Sequence, residues 1–136
     1  MIQSDSSPVD APGLYGYRSG CPIASTLDLV GDRWSLLVVR SLILGARTFA
    51  EIQRAPEGIA SNILTSRLKA LAAAGLVVRD GAGRRGRYRL THAGAGLLPI
   101  LQAMASWGLA HLPDRWIPPD DFMGAQPDEV ADVQRA

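Results

Sequence analysis

At 136 residues, 47% hydrophobic and 20% charged, the chain has the size and composition of one folded domain, too apolar for wholesale disorder and not apolar enough for a membrane bundle. No unbroken apolar run approaches the roughly 18 residues of a spanning helix: residues 34–39 are stopped by Arg40, and 97–101 is short. The first twenty residues carry Asp5 and Asp10 with no basic start or apolar stretch, unlike a signal peptide, so a cytoplasmic location is expected.

The net charge of +1 conceals a segregation. Residues 1–32 carry −3 and residues 114–136 carry −4, whereas 33–89 hold eleven bases against Glu51, Glu57 and Asp80, giving +8. Arginine at this density favours an anionic partner, phosphate above all, because the guanidinium grips phosphate oxygens in a two-pronged geometry. A solvated helix surface is the plainer alternative.

The opening segment, 1–20, mixes Ser, Pro, Asp and Gly without periodicity and reads as a flexible arm. Pro22 suits the first turn of a helix carrying Ile23, Leu27 and Val30, closed by Gly31. Asp32 is a candidate cap for a second helix, with Trp34, Leu37, Val38, Ser41 and Leu42 on one face and Gly45 as its stop. Thr48 caps a short third helix whose Phe49 and Ile52 point inward, before Pro56 and Gly58 turn the chain. Ser61 caps a fourth, with an apolar stripe of Leu64, Leu68, Leu71 and Ala72, ended by Gly75.

The period then changes. Leu76, Val77 and Val78 suit a strand, residues 80–86 a glycine-rich hairpin loop, and residues 87–90 a second strand. Thr91 caps a last long helix in which Leu97, Leu98, Leu101, Met104, Ala105, Gly108 and Leu112 recur at helical spacing, with Pro99 as a candidate kink. Residues 113–136 are acidic and contain proline, so a loosely packed tail is expected.

This order predicts a mainly α protein with a small β-hairpin wing, a winged helix-turn-helix with an extra terminal helix. If the fourth helix buries its leucines, its opposite face presents Asn62, Thr65, Ser66 and Lys69 at the three- and four-residue steps of one surface. These types read grooves: Asn bonds adenine in a bidentate way, Ser and Thr reach bases or phosphates, and Lys reaches guanine or the backbone. Ser61 stands at the start of that face, and Arg67 lies beside it as a phosphate anchor or a locally paired side chain. In the wing, Arg84, Arg85 and Arg87 surround Gly83 and Gly86, carrying cations toward a minor groove or flanking phosphates. Double-stranded DNA is the partner these surfaces predict; a protein-interaction module is the rival.

The segments CPIASTLDLVGDRW, LILGARTFAEIQRAPEGIASNILTSRLKALAAAGLVVR and YRLTHAG, with Trp107-Gly108, resemble the HxlR-type bacterial transcriptional regulators, relatives of the MarR winged-helix proteins. The likeness spans about 21–108. Its most specific pieces are Cys21-Pro22, Gly31-x-x-Trp34, Phe49-x-Glu51-Ile52, Leu64-Thr65-x-Arg67-Leu68-x-x-Leu71 and Tyr88-x-Leu90-Thr91-x-x-Gly94. The resemblance implies a homodimer built from the terminal helices, for which Ile23, Leu27, Leu98, Leu101, Met104 and Trp107 are the candidates. It also implies recognition helices in successive major grooves and regulation of nearby genes, often for stress or detoxification. A homodimeric repressor binding a short inverted repeat is the expected whole. Two features depart from the family pattern. Thr48 stands where an arginine usually precedes the phenylalanine, leaving Arg47 as the candidate backbone contact, and the wing is short, with Gly-Ala-Gly-Arg-Arg-Gly replacing a proline-rich stretch.

Cys21 is the single cysteine, so it is a buried thiol, a reactive thiol or one half of a bridge to another chain. The family often carries a redox- or electrophile-sensing cysteine there. A thiol before Pro22 sits at a helix start, where the helix dipole and Arg18 favour the thiolate; an inert packing thiol in a small-molecule-responsive regulator is the alternative. Trp34, Trp107, Phe49 and Tyr88 are candidates for a small-molecule pocket or, more simply, core packing. His92 and His111 lack metal-ligand spacing. With no phosphate loop, no Gly-x-Ser-x-Gly and no base paired to the cysteine, the chain reads as a non-enzyme without a cofactor.

Overall fold

The computed structural model describes residues 20–81 and 83–135, and of Arg84, Asp132 and Arg135 the backbone only. The expected arm therefore lies outside the described residues apart from Gly20, as does Ala82 of the hairpin loop. The chain divides into two units, 1–33 and 34–136.

In the first unit, α1 (Pro22–Val30) begins with Pro22 in its first turn and Cys21 as N-cap. Proline is suited there because its missing N–H would have no intrahelical partner. The helix closes at Gly31, whose N–H donates to Leu27 O at 2.7 Å.

The second unit opens with α2 (Ser35–Ile43), α3 (Phe49–Gln53) and α4 (Ser61–Ala73). Asp32 is not the cap of α2: a turn intervenes and Trp34 holds the N-cap position. Nor does Ser61 cap α4, where Ala60 is the N-cap, because the Ser61 hydroxyl accepts a 2.7 Å bond from Gln53 Nε2. Both helices end as expected. At the end of α4, Gly75 N–H donates to Ala72 O and Leu76 N–H to Leu71 O, a Schellman closure that needs the left-handed φ of 77° at Gly75. Leu64, Leu68 and Leu71 are buried, but Ala72 is exposed; it flanks the stripe without entering it.

The wing follows as an antiparallel pair, β1 (Val77–Asp80) and β2 (Arg87–Leu90), with Val77 opposite Leu90 and Asp80 opposite Arg87. Val77 and Leu90 reach the core at 2% and 1% exposure while the loop end stays outside.

The last helix is not continuous. It divides into α5 (His92–Ala95) and α6 (Leu98–His111), with Gly96 and Leu97 in a turn. Pro99 therefore lies in the first turn of α6, where it starts a helix instead of kinking one. The stretch His92–His111 has a mean hydropathy of 1.3 and reaches membrane-span length, a property that counting unbroken apolar runs overlooks. The stretch is broken at Gly96 and Leu97, and it buries Leu97, Leu98 and Leu101 while Ile100, Met104, Trp107 and Leu109 stay exposed.

The expected loose tail is instead folded. After Asp114, whose φ of 55° Asp tolerates better than most residues, the chain forms α7 (Asp120–Met123) and α8 (Pro127–Arg135). Phe122, Val130 and Ala131 are buried. Gln134, 5% exposed, accepts from Leu90 N–H at 3.0 Å and donates to Leu42 O at 3.1 Å, joining α8 to the wing and to α2. Gln102 of α6 donates to the carbonyls of Phe122, Met123 and Ala125. Acidic composition hid a few well-spaced apolar residues and Gln134, which satisfies buried backbone groups.

Candidate nucleic-acid interface

The helix-turn-helix, α3 to α4, is fixed by polar bonds at each bend. Thr48 Oγ1 accepts from Glu51 N–H at 3.1 Å, and Glu51 Oε1 accepts from the Thr48 and Arg47 N–H groups at 3.1 and 2.8 Å, a reciprocal capping box. Those backbone donors stabilise the ionised carboxylate and hold Glu51 below its ordinary value. Gln53 links the end of α3 to Ser61. Arg40 of α2 grips Glu57 of the turn through two bonds of 2.9 and 2.7 Å; with both side chains 23% exposed, this bidentate pair clamps the turn to the core.

On α4 the face opposite Leu64, Leu68 and Leu71 presents Asn62, Thr65, Ser66 and Lys69, all exposed, with Ser61 exposed at its start. The Thr65 hydroxyl donates to Ser61 O at 2.9 Å, Ser61 Oγ accepts from Gln53 and Ser66 Oγ from Arg67, and each of the three hydroxyls keeps further hydrogen-bonding capacity for a partner. Arg67 is half-buried beside them and donates to Ser66 Oγ at 3.2 Å.

The wing spends more of its charge internally. Arg79 donates to Tyr88 Oη at 3.2 Å and to the Gly81 and Gly83 carbonyls, with its guanidinium 5.8 Å from the Tyr88 ring centroid. Gly86 lies against that guanidinium, and a Cβ there would displace the Arg79 head from its place under the loop. Arg89 pairs with Asp80 at 2.8 Å. Arg85 and Arg87 are exposed and their side chains make no hydrogen bond or ion pair among the described residues; the Arg84 side chain lies outside them.

Arg47, the expected backbone contact, is otherwise engaged. Its Nη1 donates to Leu42 O and Ala46 O at 2.9 and 2.8 Å, tying the end of α2 to the turn that follows it. Its carbonyl accepts from Tyr88 N–H at 2.7 Å, stitching β2 to the turn before α3. Burial lowers the Arg47 pKa from its ordinary value, the neighbouring Arg87 charge adds to this, and Glu51 opposes both. The sequence reading missed the positioning roles of Arg40, Gln53, Arg79 and Gln134. The only local signal among them was the Arg79 cation beside a loop of three glycines; the other partners lie farther along the chain.

Residues 29–115 match the HxlR-like helix-turn-helix family. The chain belongs to that family. Its HxlR-like relatives include the HTH-type transcriptional regulator YybR of Bacillus subtilis, 34% identical over 98 residues, covering 70% of this chain and 78% of YybR. Rv3095 of Mycobacterium tuberculosis, also an HTH-type transcriptional regulator, is 37% identical over 103 residues, 74% of this chain and 65% of its own length. Among solved structures, the reduced form of the redox regulator HypR superposes with a TM-score of 0.61 at 31% identity, covering 68% of this chain and 95% of HypR. The chain is therefore a helix-turn-helix transcriptional regulator with a winged-helix fold, in a family of regulators and not of enzymes. Residues 116–135, with α7 and α8, lie beyond the family match.

The remaining HxlR-type candidates are distributed as follows. Ile23 and Leu27 on α1 are 72% and 60% exposed, and Met104 and Trp107 on α6 are 54% and 59% exposed, whereas Leu98 and Leu101 are buried in the chain's own core. Leu98 and Leu101 therefore support α6 from within and have no surface to offer a second subunit. Cys21, the N-cap of α1, is exposed and carries its thiol outside any disulfide. Trp34, Phe49 and Tyr88 are half-buried, and Trp107 stacks on His111 with centroids 4.7 Å apart. None of these four aromatics enters the buried core, and none lines the large cavity described below.

Proposed function

We propose that the chain is a homodimeric repressor, working in the cytoplasm, that binds double-stranded DNA at a short inverted repeat near stress or detoxification genes. The exposed polar face of α4, set opposite buried Leu64, Leu68 and Leu71 in a helix-turn-helix, carries this reading. Ser61, Asn62, Thr65, Ser66 and Lys69 read base edges in the major groove, and Arg67 anchors a phosphate. Arg85 and Arg87, with Arg84, follow the flanking backbone or minor groove. The exposed apolar side chains of α1 and α6 support the dimer, because surface patches of this kind mark partner contacts. Twofold symmetry then sets half-sites about 34–36 Å apart, one duplex turn.

Regulation through Cys21 draws on its exposure at the start of α1 and on likeness to HypR, a redox regulator, and to the B. subtilis regulator YodB, solved in a quinone-bound form. With one cysteine per chain, an oxidant yields a bridge between subunits or a mixed disulfide, and an electrophile yields an adduct. Any of these at the start of α1 alters how that helix meets the partner subunit and so the spacing of the two recognition helices.

Hydroxyl-radical footprinting on the DNA upstream of the gene tests the first part, with two protected tracts one turn apart and two chains per duplex expected. A single protected tract with one chain bound contradicts the dimer. For the thiol, wild type should release DNA on oxidation while Cys21→Ser holds it; equal responses exclude Cys21 as the sensor.

A further inference from the structure

A cavity of about 550 Å³ lies between the helix-turn-helix and the C-terminal extension, within the size range of small-molecule sites. Its apolar walls include Leu44 of the α2 end, Pro56 of the α3–α4 turn, Leu101 of α6, and Trp116, Ile117 and Phe122 of the extension. Trp116 and Ile117 are 79% and 80% exposed, so large apolar side chains stand at an open rim, a costly arrangement unless something covers them. Trp116, Ile117 and Phe122 follow residue 115, where the family match ends, so this wall belongs to the chain's own extension.

The polar groups of the lining set the ligand's charge. Arg40 is committed to Glu57, and Glu51 to the backbone of Arg47 and Thr48. Arg54, exposed at the cavity, makes no side-chain hydrogen bond or ion pair among the described residues. Ser41 also lines the cavity and is only 8% exposed, yet its hydroxyl has no hydrogen-bond partner among them. A buried hydroxyl left without a partner costs free energy that a ligand acceptor recovers. One available cation, one unpartnered buried hydroxyl and apolar walls with an indole suit a flat apolar body bearing a single anionic group.

We propose that this cavity binds a small aromatic monoanion, with the ring between the extension and α6 and the anionic group held by Arg54 and Ser41. The cavity touches the α3 end of the helix-turn-helix and the supporting helix α6 together, so an occupant bears on both.

Isothermal titration of the full chain with 2-naphthoate and its neutral counterpart 2-naphthamide, without DNA, tests this independently of the DNA-binding reading. The expected result is one site per chain, with the acid bound about fivefold to tenfold more tightly than the amide. That preference should vanish in Arg54→Gln, and both probes should be lost in Ala105→Phe, which fills the cavity from α6, while the thermal melts of both variants match wild type. If Ala105→Phe melts early, Trp116→Ala at the exposed rim replaces it, with weakened binding of both probes expected. Absence of saturable heat up to about 1 mM, equal affinity for acid and amide, or binding undiminished by the filling and rim variants overturns the proposal. So does dissociation to monomers in a Trp116→Ala/Ile117→Ser variant, which would assign the rim to a second copy of the chain.

Discussion

The recognition helix and the wing present positive charge from opposite constructions. In α4 the buried leucine stripe fixes the rotation, so Asn62 and Lys69 stand exposed with no internal bond to maintain. In the wing, Arg79 is consumed in shaping the loop, Arg89 is paired with Asp80, and Gln134 from α8 holds the Leu90 N–H from beneath. A count of arginines therefore overstates the contacts a hairpin offers, while on the helix the exposed face and the offered contacts coincide.

The sharpest way to press this comparison is to strip each surface in turn. Asn62→Ala with Lys69→Ala removes four base contacts per dimer, two from each subunit, and at about 1–3 kcal/mol each should cost about 4–12 kcal/mol of specific binding. Competition against a scrambled duplex checks this, because the loss should fall mainly on the specific site. Gln134→Ala leaves the buried Leu90 N–H without its partner, whereas Leu42 O still accepts from Arg47. Urea unfolding should show a loss of about 1–3 kcal/mol, with amide exchange rising first along β2 if α8 supports the wing.

Smaller effects separate the arginines. Arg85→Ala and Arg87→Ala should each weaken binding to all sequences alike and flatten the salt slope by about one per subunit. Arg79→Ala should leave the slope unchanged and instead raise hydrogen exchange in residues 81–86. A flattened slope in Arg79→Ala would erase the distinction between structural and DNA-facing cations. The smallest effect concerns the α3 cap. Glu51 has its pKa lowered from 4.5 in the folded chain, so its contribution is complete above that value and is lost as pH falls through the lower folded value. Thermal melts of wild type and Glu51→Ala should therefore differ at neutral pH and converge in acid.

What the sequence made legible follows from the range of each interaction. The leucine stripe of α4, the Thr48 cap of α3 and the glycine closures depend on residues a few positions apart, and local pattern reveals them. Arg40 meets a partner 17 residues away and Gln134 partners 44 and 92 residues away, so no local pattern announces either. A repeating apolar face does not say which part meets the chain's own core, so nothing local separates buried Leu98 and Leu101 from exposed Met104 and Trp107. The fold of the acidic tail is hidden for a related reason: Phe122, Val130 and Ala131 are few, but each is buried.

The central claim, that α4 and the wing together form a DNA-reading surface, is tested most directly by fluorescence anisotropy across a salt series. The duplex upstream of the gene is compared with a scrambled one, for wild type and for Asn62→Ala/Lys69→Ala. The account predicts tight, selective binding with a steep salt slope, and loss of selectivity in the variant while salt-dependent binding to both duplexes remains. Selective binding that survives the variant unchanged would contradict it.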